Sequence, residues 1–497
     1  MMEAVYSIKP LLAVLVSLTA ACLILLTGER SKNLRETWTI LASVLKFSIV
    51  ASMIPTILKG NVIEYTLITL APGLLLQFRV DAFGLVFGLL ASTLWIATSF
   101  YSIGYMRGLD EHAQTRFFFC FAIALFATIG IAFSANLLTL FIFYEILTMA
   151  TYPLVSHKET PEAIKGGRKY LTYTLTAGVV ILLAIATMYH LTGTVDFRPG
   201  GFVSGHVSPD MLRFLFVALV LGFGVKAGMM PFHEWLPTAM VAPTPVSALL
   251  HAVAVVKAGV FCVLRVILYV FGPDLLHDTG LWLMLAYFVS FTIIISCFFA
   301  LAQDNIKRRL AFSTINNLSI IILGAALLSG SAIKGAMLHI AYHGFMKITL
   351  FFVAGAIYVK AHKENVSELD GLGRQMPLTF GSFALGAMGV SGIPPLCGFI
   401  SKWYLCLGAL EAKEIFFLFV FLTSAFLDAA FFFPIVYRAF FKKAQETVKP
   451  HFDEAPMFMV IPLTATAVIS LILGIFPNAF LPFFEIVTVA VQSILGG

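Results

Sequence analysis

Five lysines lie inside long apolar segments of the sequence, where an ammonium group has little water to solvate it: Lys46, Lys226, Lys257, Lys347 and Lys402. A charged side chain in the middle of a bilayer costs at least about 2.5 kcal/mol, so such residues usually pair, carry protons or line a polar interior. The lysines therefore indicate the movement of ions. Lys46 alone is interpreted as structural, donating to carbonyls of an adjacent helix.

Two histidines share a helix face with one of these lysines. His339, His343 and Lys347 recur every four residues, which places them in one stripe along a helix. A neutral imidazole accepts a proton at one ring nitrogen and donates one at the other, so the stripe is typical of a proton relay. Binding of a metal ion by the two histidines is the alternative. The sequence predicts no metal site, because no cysteine or carboxylate shares this face.

The remaining candidates lie in three other apolar segments. Glu145 is the only acidic residue of its segment and is predicted to pair with Lys226, so that the lysine changes protonation as the pair opens and closes. A static ion pair is the alternative. His251 and Lys257 are six residues apart, and a regular α-helix would turn them toward different neighbours. His251 is either a second station or a packed histidine bonded to a backbone carbonyl. Asp428 is an accessory candidate that pairs with a polar neighbour or lines an exit.

The composition places these residues in a lipid bilayer. Hydrophobic residues make up 60% of the 497 residues and charged residues 12%, with a mean hydropathy of +0.95. Soluble domains carry about 25% charged residues. Since each crossing needs roughly 20 apolar residues, the sequence predicts an all-α polytopic membrane protein with about 14 transmembrane helices.

The distribution of positive charge supports this count. With the loop after the first span placed in the cytoplasm, the predicted inside loops hold 19 Lys and Arg residues and the outside segments hold 8. The positive-inside rule requires such an asymmetry. Both termini are then predicted outside, and the first apolar run is interpreted as a membrane span rather than a cleaved signal. The net charge of +6 is an orientation signal and not a nucleic-acid footprint.

An internal repeat divides the chain. The tetrapeptide Ala163-Ile-Lys-Gly166 recurs as Ala332-Ile-Lys-Gly335, and the span after each copy is broken by proline and glycine near Lys226 or Lys402. Five helices per unit is an odd number, so the second unit enters from the opposite side and forms an inverted repeat, with two broken helices marking the transport site. Ordinary proline kinks are the alternative. The predicted parts are an N-terminal three-helix segment (1–114), the first five-helix repeat (115–275), the second five-helix repeat (276–445), and a C-terminal helix and tail (446–497).

These residues also carry a family resemblance. The stretch from Lys226 through Pro231-Phe-His-Glu-Trp-Leu-Pro237 to Pro243-Thr-Pro-Val-Ser-Ala-Leu-Leu-His251 resembles the signature of a family of antiporter-like subunits. That family is shared by Mrp-type cation/proton antiporters, membrane-bound hydrogenases and respiratory complex I. The resemblance extends over nearly the whole chain. The other residues that resemble family motifs are Glu145, Lys307-Arg308 with Ala311-Phe-Ser-Thr314, the His339/His343/Lys347 helix and Gly398-Phe-Ile-Ser-Lys402.

The resemblance implies a proton-translocating membrane subunit, with coupling to sodium exchange left open. The strongest likeness is to the D subunit of Mrp antiporters or its counterpart in membrane-bound hydrogenases, because Lys402 stands where one complex I relative has glutamate. Other membrane subunits of such an assembly are the implied partners, and a prokaryotic inner (plasma) membrane is the implied location. The proton-pathway candidates are Glu145, Lys226, His251, Lys257, His339, His343, Lys347 and Lys402.

Other functions stay open at this point. One is a proton-pumping subunit of a complex I-like quinone oxidoreductase. Another is a stand-alone secondary transporter, although no cluster of carboxylates indicates a dedicated cation site. A membrane enzyme would need a catalytic constellation or a cofactor site, and the sequence has neither a Walker loop nor a dinucleotide fingerprint. The chain is therefore predicted to bind no cofactor and to have no redox centre of its own, although it could serve a redox-driven complex.

Overall fold

The computed structural model describes residues 3–203, 207–443, 452–479 and 481–496. The fold is mainly helical, with one small sheet near the N-terminus. The strands are β1 (Ala4–Tyr6), β2 (Val62–Ala71) and β3 (Leu74–Val80). The first ten helices are α1 (Lys9–Thr27), α2 (Lys32–Ala51), α3 (Ile54–Leu58), α4 (Ala82–Gly108), α5 (Gln114–Ala132), α6 (Leu137–Val155), α7 (Pro161–Thr192), α8 (Pro209–Ala227), α9 (Trp235–Thr238) and α10 (Thr244–Ala248). The next ten are α11 (Val255–Arg265), α12 (Pro273–Thr279), α13 (Leu281–Ala302), α14 (Ile306–Ala326), α15 (Gly330–Ala361), α16 (Pro377–Ser391), α17 (Cys397–Glu411), α18 (Ile415–Phe441), α19 (Met457–Ile475) and α20 (Phe483–Leu495).

The membrane-spanning character of the fold is evident from helix length and composition. Within the described residues, 12 helical segments are long and apolar enough to cross a membrane. Two interrupted segments add to these, one built around α8 and α9 and one built from α16 and α17. The predicted polytopic all-α fold is therefore confirmed, including the interruption of both predicted broken spans.

Apolar residues are buried in the centre of the bundle and exposed at its periphery. In α14, in α15 and in the segment Thr244–Phe271, the most apolar stretch of 18 residues is entirely buried. At the periphery, large apolar side chains such as Leu26, Val179 and Phe426 are exposed. A surface of this kind would be unfavourable in water and suits contact with lipid. The three buried segments form the centre that positions the candidate residues.

The two tetrapeptide copies occupy equivalent places. Each begins at the third residue of a 32-residue helix, α7 in one case and α15 in the other. The next apolar helix, α8 or α16, ends at a glycine with a left-handed backbone, Gly228 with φ of +72° and Gly392 with φ of +79°. A residue with a Cβ rarely adopts this conformation, so glycine allows each helix to stop at its break. The division into four parts stays a prediction.

Each break is packed by side chains from the same span. After α8, the indole Nε1 of Trp235 donates to the carbonyl of Val225 at 2.8 Å, which also accepts from the backbone N–H of Gly228 at the end of the helix. After α16, the aliphatic stem of Lys402 lies against Gly392, where an added Cβ would come within 2.9 Å of Lys402 Cδ. Irregular backbone at this depth is thus covered by protein, as membrane folds require.

The segment Thr244–Phe271 is not a uniform α-helix. A π-helical turn at Leu249–Val253 separates α10 from α11, and a second one follows α11 at Val266–Phe271. At Ala254 the backbone departs from helical geometry, with φ of −112° and ψ of −80°. A π-turn contains one extra residue, so it changes which way all later side chains point.

The sheet was not among the sequence predictions. β1 pairs in parallel with β2, and β2 pairs antiparallel with β3. Glu64 and Arg79 are directly opposite each other on β2 and β3 and form an ion pair at 2.6 Å. β3 leads through Asp81, which caps the N-terminus of α4, into that helix at Ala82.

Candidate functional site

The ionisable residues singled out in the sequence lie inside the bundle. Their side chains are wholly or almost wholly buried, with Glu145 alone at intermediate exposure. Lys402 is 8% exposed, and the remainder are fully buried: Lys226, His251, Lys257, His339, His343, Lys347 and Asp428. Burial of so many ionisable groups is costly without partners. The contacts that each group makes therefore decide what it can do.

Five of these residues, together with Ser401, form a row across the centre of the bundle. Lys257 Nζ lies 2.8 Å from His343 Nδ1. One turn away on α15, the His339 ring centroid is 5.6 Å from that of His343, and His339 Nδ1 lies 2.8 Å from Ser401 Oγ. The adjacent Lys402 donates to Asp428 Oδ2 at 2.9 Å. We call Lys257, His343, His339, Ser401, Lys402 and Asp428 the central polar row; its members come from α11, α15, α17 and α18.

Two amides on α14 support the row. Asn316 Nδ2 donates to Asp428 Oδ1 at 3.1 Å and its own Oδ1 accepts from Ser424 at 2.9 Å. Asn317 Oδ1 lies 3.1 Å from His339 Nε2. Sequence reasoning missed both amides. The signal was available, because two consecutive asparagines in a membrane helix are unusual enough to indicate a polar neighbour.

Lys347 continues the stripe along α15 but turns toward α14. Its Nζ donates to Ser313 Oγ at 2.7 Å and to the Leu310 carbonyl at 3.3 Å, and it lies 5.1 Å from the centroid of the Phe432 ring. The three members of the stripe therefore share a helix face without sharing a partner. Lys347 lies beside the central polar row rather than in it.

Glu145 and Lys226 are not paired in the structure. Lys226 Nζ donates to the Tyr144 carbonyl at 2.6 Å and lies 3.3 Å from the centroid of the Tyr144 ring. The buried Oε1 of Glu145 has no hydrogen-bond partner in the protein, and it packs against Gly178 of α7. The static ion pair considered as an alternative is thus not present. The arrangement corresponds to an open pair, with the amine held by a carbonyl and an aromatic ring.

The expectation that His251 and Lys257 face different neighbours is wrong. Both pack against α15: the His251 ring centroid is 4.9 Å from that of Phe351, and Lys257 contacts His343. The π-turn at Leu249–Val253 and the irregular backbone at Ala254 change the helical phase between the two residues, which a sequence assumed to be regular cannot show. His251 is packed, but neither ring nitrogen bonds a carbonyl.

Two further buried cations make static contacts. Arg265 lies at the end of α11 and is 1% exposed. Its guanidinium donates to both carboxylate oxygens of Asp81, at 2.5 and 2.7 Å, in the bidentate geometry of a strong pair. Lys46 donates to the Leu125 carbonyl of α5 at 3.1 Å and lies 4.8 Å from the Trp95 ring. The Lys46 contacts match its structural interpretation.

The fold and these contacts define a polytopic α-helical membrane protein whose interior is lined by ionisable side chains. Residues 134–428 match the model of the family described as NADH:quinone oxidoreductase/Mrp antiporter, transmembrane. The chain belongs to that family, as the resemblance of its motifs predicted.

Comparison with individual proteins supports the same assignment. The chain is 29% identical over 440 residues to NADH-quinone oxidoreductase subunit N of Desulforudis audaxviator (strain MP104C), covering 85% of this chain and 86% of that protein. It is 32% identical over 345 residues to hydrogenase-4 component B of Escherichia coli (strain K12), covering 66% of this chain and half of that longer protein. A subunit in the structure of the Mrp complex from Dietzia sp. DQ12-45-1b superposes with a TM-score of 0.87 at 20% identity, covering 98% and 97% of the two chains, which shows a shared fold.

Taken with the family match, these relatives place the chain as an antiporter-like membrane subunit of the Mrp, hydrogenase or complex I family. The relatives named above are components of multi-subunit membrane complexes. The chain is accordingly a multi-pass membrane protein of such a complex.

Proposed function

We propose that this chain is the proton-translocating subunit of a hetero-oligomeric membrane complex of the Mrp D or membrane-bound hydrogenase type. The central polar row supports this proposal most directly. It places two amines, two imidazoles and a carboxylate within the buried centre of the bundle, each in contact with or one turn from the next. Protons need such stations, because roughly 30 Å of hydrocarbon otherwise separates the two aqueous phases.

Entry into the route is assigned to Lys226 and Glu145. A buried ammonium group is favoured when a carboxylate approaches it and disfavoured when the carboxylate withdraws. In the open arrangement the Lys226 amine rests on the Tyr144 carbonyl and ring, while Glu145 is free to take up a proton. Closing and opening of this pair would load and release a proton at one end of the interior.

The middle and the exit of the route are assigned to the central polar row. His343 and His339 pass protons as neutral imidazoles between Lys257 and Ser401, with His251 and Lys347 as flanking groups. Lys402 and Asp428 form the last pair: when they separate, the buried Lys402 ammonium group is disfavoured and releases its proton, and when they close, the amine binds a proton again. Asn316 holds Asp428 in place through this exchange.

A proton-pumping role in a complex I-like quinone oxidoreductase is the second candidate, and exchange of protons for sodium is a further possibility within either complex. The identity of the partner subunits separates these cases. Purification with a nickel–iron hydrogenase or quinone module would identify a redox-driven pump. Purification with small membrane subunits alone would identify an antiporter.

Loss of the exit pair tests the proposed function. In the assembled complex reconstituted into proteoliposomes, we expect Lys402→Met to reduce proton flux roughly 100-fold, the lower range for removal of a proton-transferring group. Because the single change leaves Asp428 buried without its cation, the double variant Lys402→Met/Asp428→Asn removes both charges and preserves assembly. Flux at the wild-type rate in the double variant would contradict the proposal. The control is Lys334→Met in the same complex, which removes a peripheral lysine instead.

The proposed orientation places both termini outside a prokaryotic inner membrane. In a cysteine-free background, we expect single cysteines at Lys32, Arg168, Arg308 and Lys442 to react from the cytoplasm and one at Arg198 to react from outside. Arg168 lies near the start of α7 and Arg198 lies six residues beyond its end, and the 32 residues of α7 span about 48 Å of helix axis. Labelling of these two positions from the same side would refute the fourteen-span orientation.

A further inference from the structure

A second cluster of ligand-type side chains lies apart from the central polar row. Glu111 and His112 are in the connection between α4 and α5, and His157 follows the end of α6. One ligand atom from each of the three residues lies within 4.8 Å of the others. The rings of His112 and His157 are stacked with centroids 4.9 Å apart. The cluster therefore brings two imidazoles and one carboxylate to a single point at one end of the helices.

The state of His157 indicates that this point suits a ligand. Its side chain is fully buried, yet neither ring nitrogen has a hydrogen-bond partner among the residues that the structure describes. A buried imidazole without a partner is exceptional, because the polar nitrogens lose water and gain nothing in return. Glu111 is 13% exposed and His112 is 48% exposed at the side chain, so the cluster is closed at His157 and open at His112.

We propose that Glu111, His112 and His157 bind a divalent transition-metal ion of the Zn²⁺ class. Imidazole nitrogen and carboxylate oxygen are ligands that Zn²⁺ accepts, at about 2.0–2.2 Å from the ion, with a water molecule in the fourth position. Ligand atoms around a tetrahedral ion are then about 3.4 Å apart, by the geometry of those bond lengths. Because the three ligand atoms lie within 4.8 Å of one another, they must approach by up to about 1.5 Å to reach that spacing, and the side chain of His112, which is 48% exposed, has room to move.

The electrostatic surroundings permit a cation at this point. Arg116 is the nearest fixed positive charge: its Nη2 donates to the backbone carbonyl of His157 at 3.1 Å. Its guanidinium is already paired with the Glu159 carboxylate. Glu111 adds a negative charge at the cluster itself. A bound ion would connect the α4–α5 loop to the end of α6. Among the side chains of the cluster, only the stacked rings of His112 and His157 join these two parts of the chain.

The test uses Zn²⁺ itself as the probe. The assembled complex is dialysed against buffered Zn²⁺ and its metal content is measured, with wild-type and variant chains compared so that sites on other subunits cancel. We expect one more Zn²⁺ per wild-type chain than for His112→Ala, with at least a tenfold weaker affinity in the variant. His157→Phe retains a stacked aromatic ring in the buried position, and we expect it to lose the ion as well.

The control is a second histidine–carboxylate pair, which has no third ligand among the described residues. His277 and Asp278 approach to 3.8 Å, close to the 3.9 Å between His112 and Glu111. His277→Ala should leave the Zn²⁺ content unchanged. Wild-type Zn²⁺ content in His112→Ala, or an equal loss in His277→Ala, would overturn the proposal. Because His112 is half-exposed, its alanine variant decides the question even if His157→Phe fails to assemble. Zn²⁺ should also raise the melting temperature of wild type and not that of His112→Ala, since a ligand bound to the folded state stabilises it.

Discussion

Replacing Lys226 with arginine should abolish proton flux nearly as completely as replacing it with alanine, while the complex still assembles. Arginine keeps the positive charge but does not release its proton. If Lys226 works by losing and regaining a proton, we expect a loss of roughly 100-fold or more, as for other groups that transfer protons. Flux is measured in proteoliposomes with an internal pH-sensitive dye, and assembly by co-purification of the partner subunits.

The structure supplies a matched control for the larger side chain. Lys46 is also fully buried, donates to a backbone carbonyl and lies over an aromatic ring, at Leu125 and Trp95 instead of Tyr144. Lys46→Arg should therefore retain flux if it assembles. Wild-type flux in Lys226→Arg would mean that Lys226 acts as a fixed charge. Equal loss in Lys46→Arg would mean that the bulk of a buried arginine, and not its proton affinity, stops transport.

The second large effect is expected at the two histidines of the central polar row. Replacing one histidine is tolerated where a water molecule can enter a polar space and take its place. Replacing both, as His339→Leu/His343→Leu, removes every proton acceptor between Lys257 and Ser401. We expect flux in the assembled complex to fall to the background of empty vesicles.

The matched control lies on the same helix. Ile340 and Ile348 of α15 are fully buried but make no polar contact, so Ile340→Leu/Ile348→Leu should be nearly silent. The histidine variant also removes the hydrogen-bond partner of Asn317 Oδ1 and that of the Lys257 amine, at a cost of about 1–3 kcal/mol for each buried polar group. Assembly must therefore be measured alongside flux. Near-normal flux in an assembled histidine variant would remove α15 from the pathway and leave its histidines as packing residues.

The sequence was sufficient to predict the features that depend on local chemistry. Apolar run length gave the membrane spans, and proline and glycine located both breaks, where Gly228 and Gly392 adopt left-handed backbone. The period of four residues put His339 and His343 on one helix face, where the structure also has them adjacent. These features follow from the covalent properties of a few neighbouring residues.

Other features depend on contacts between distant parts of the chain. The Arg265–Asp81 pair joins residues 184 positions apart, and no periodicity connects them. The π-turn before Lys257 has no residue signature, although it decides which helix Lys257 meets. The β-branched residues and the Pro72-Gly73 turn of the β2–β3 hairpin are a weak sequence signal for strands. The long apolar helical segments dominated the pattern, so the hairpin was not predicted. The cluster at His157 brings together residues from two connections, with no recognisable spacing.

The two helix breaks have an electrostatic consequence. Each helix carries a partial negative charge at its C-terminal end, where the last carbonyls are unpaired, and a cation placed there is stabilised by about 0.3–1 kcal/mol, and up to about 2 kcal/mol when partly buried. Lys226 lies in the last turn of α8, and the stem of Lys402 lies on Gly392, immediately after the last turn of α16. Lys226 therefore resides in the field of a helix C-terminus, whereas Lys402 brings only its aliphatic stem to one and places its ammonium group on Asp428. At the two breaks, the two halves of the chain thus surround their lysines with different negative charge: a helix C-terminus in the first half and a carboxylate in the second.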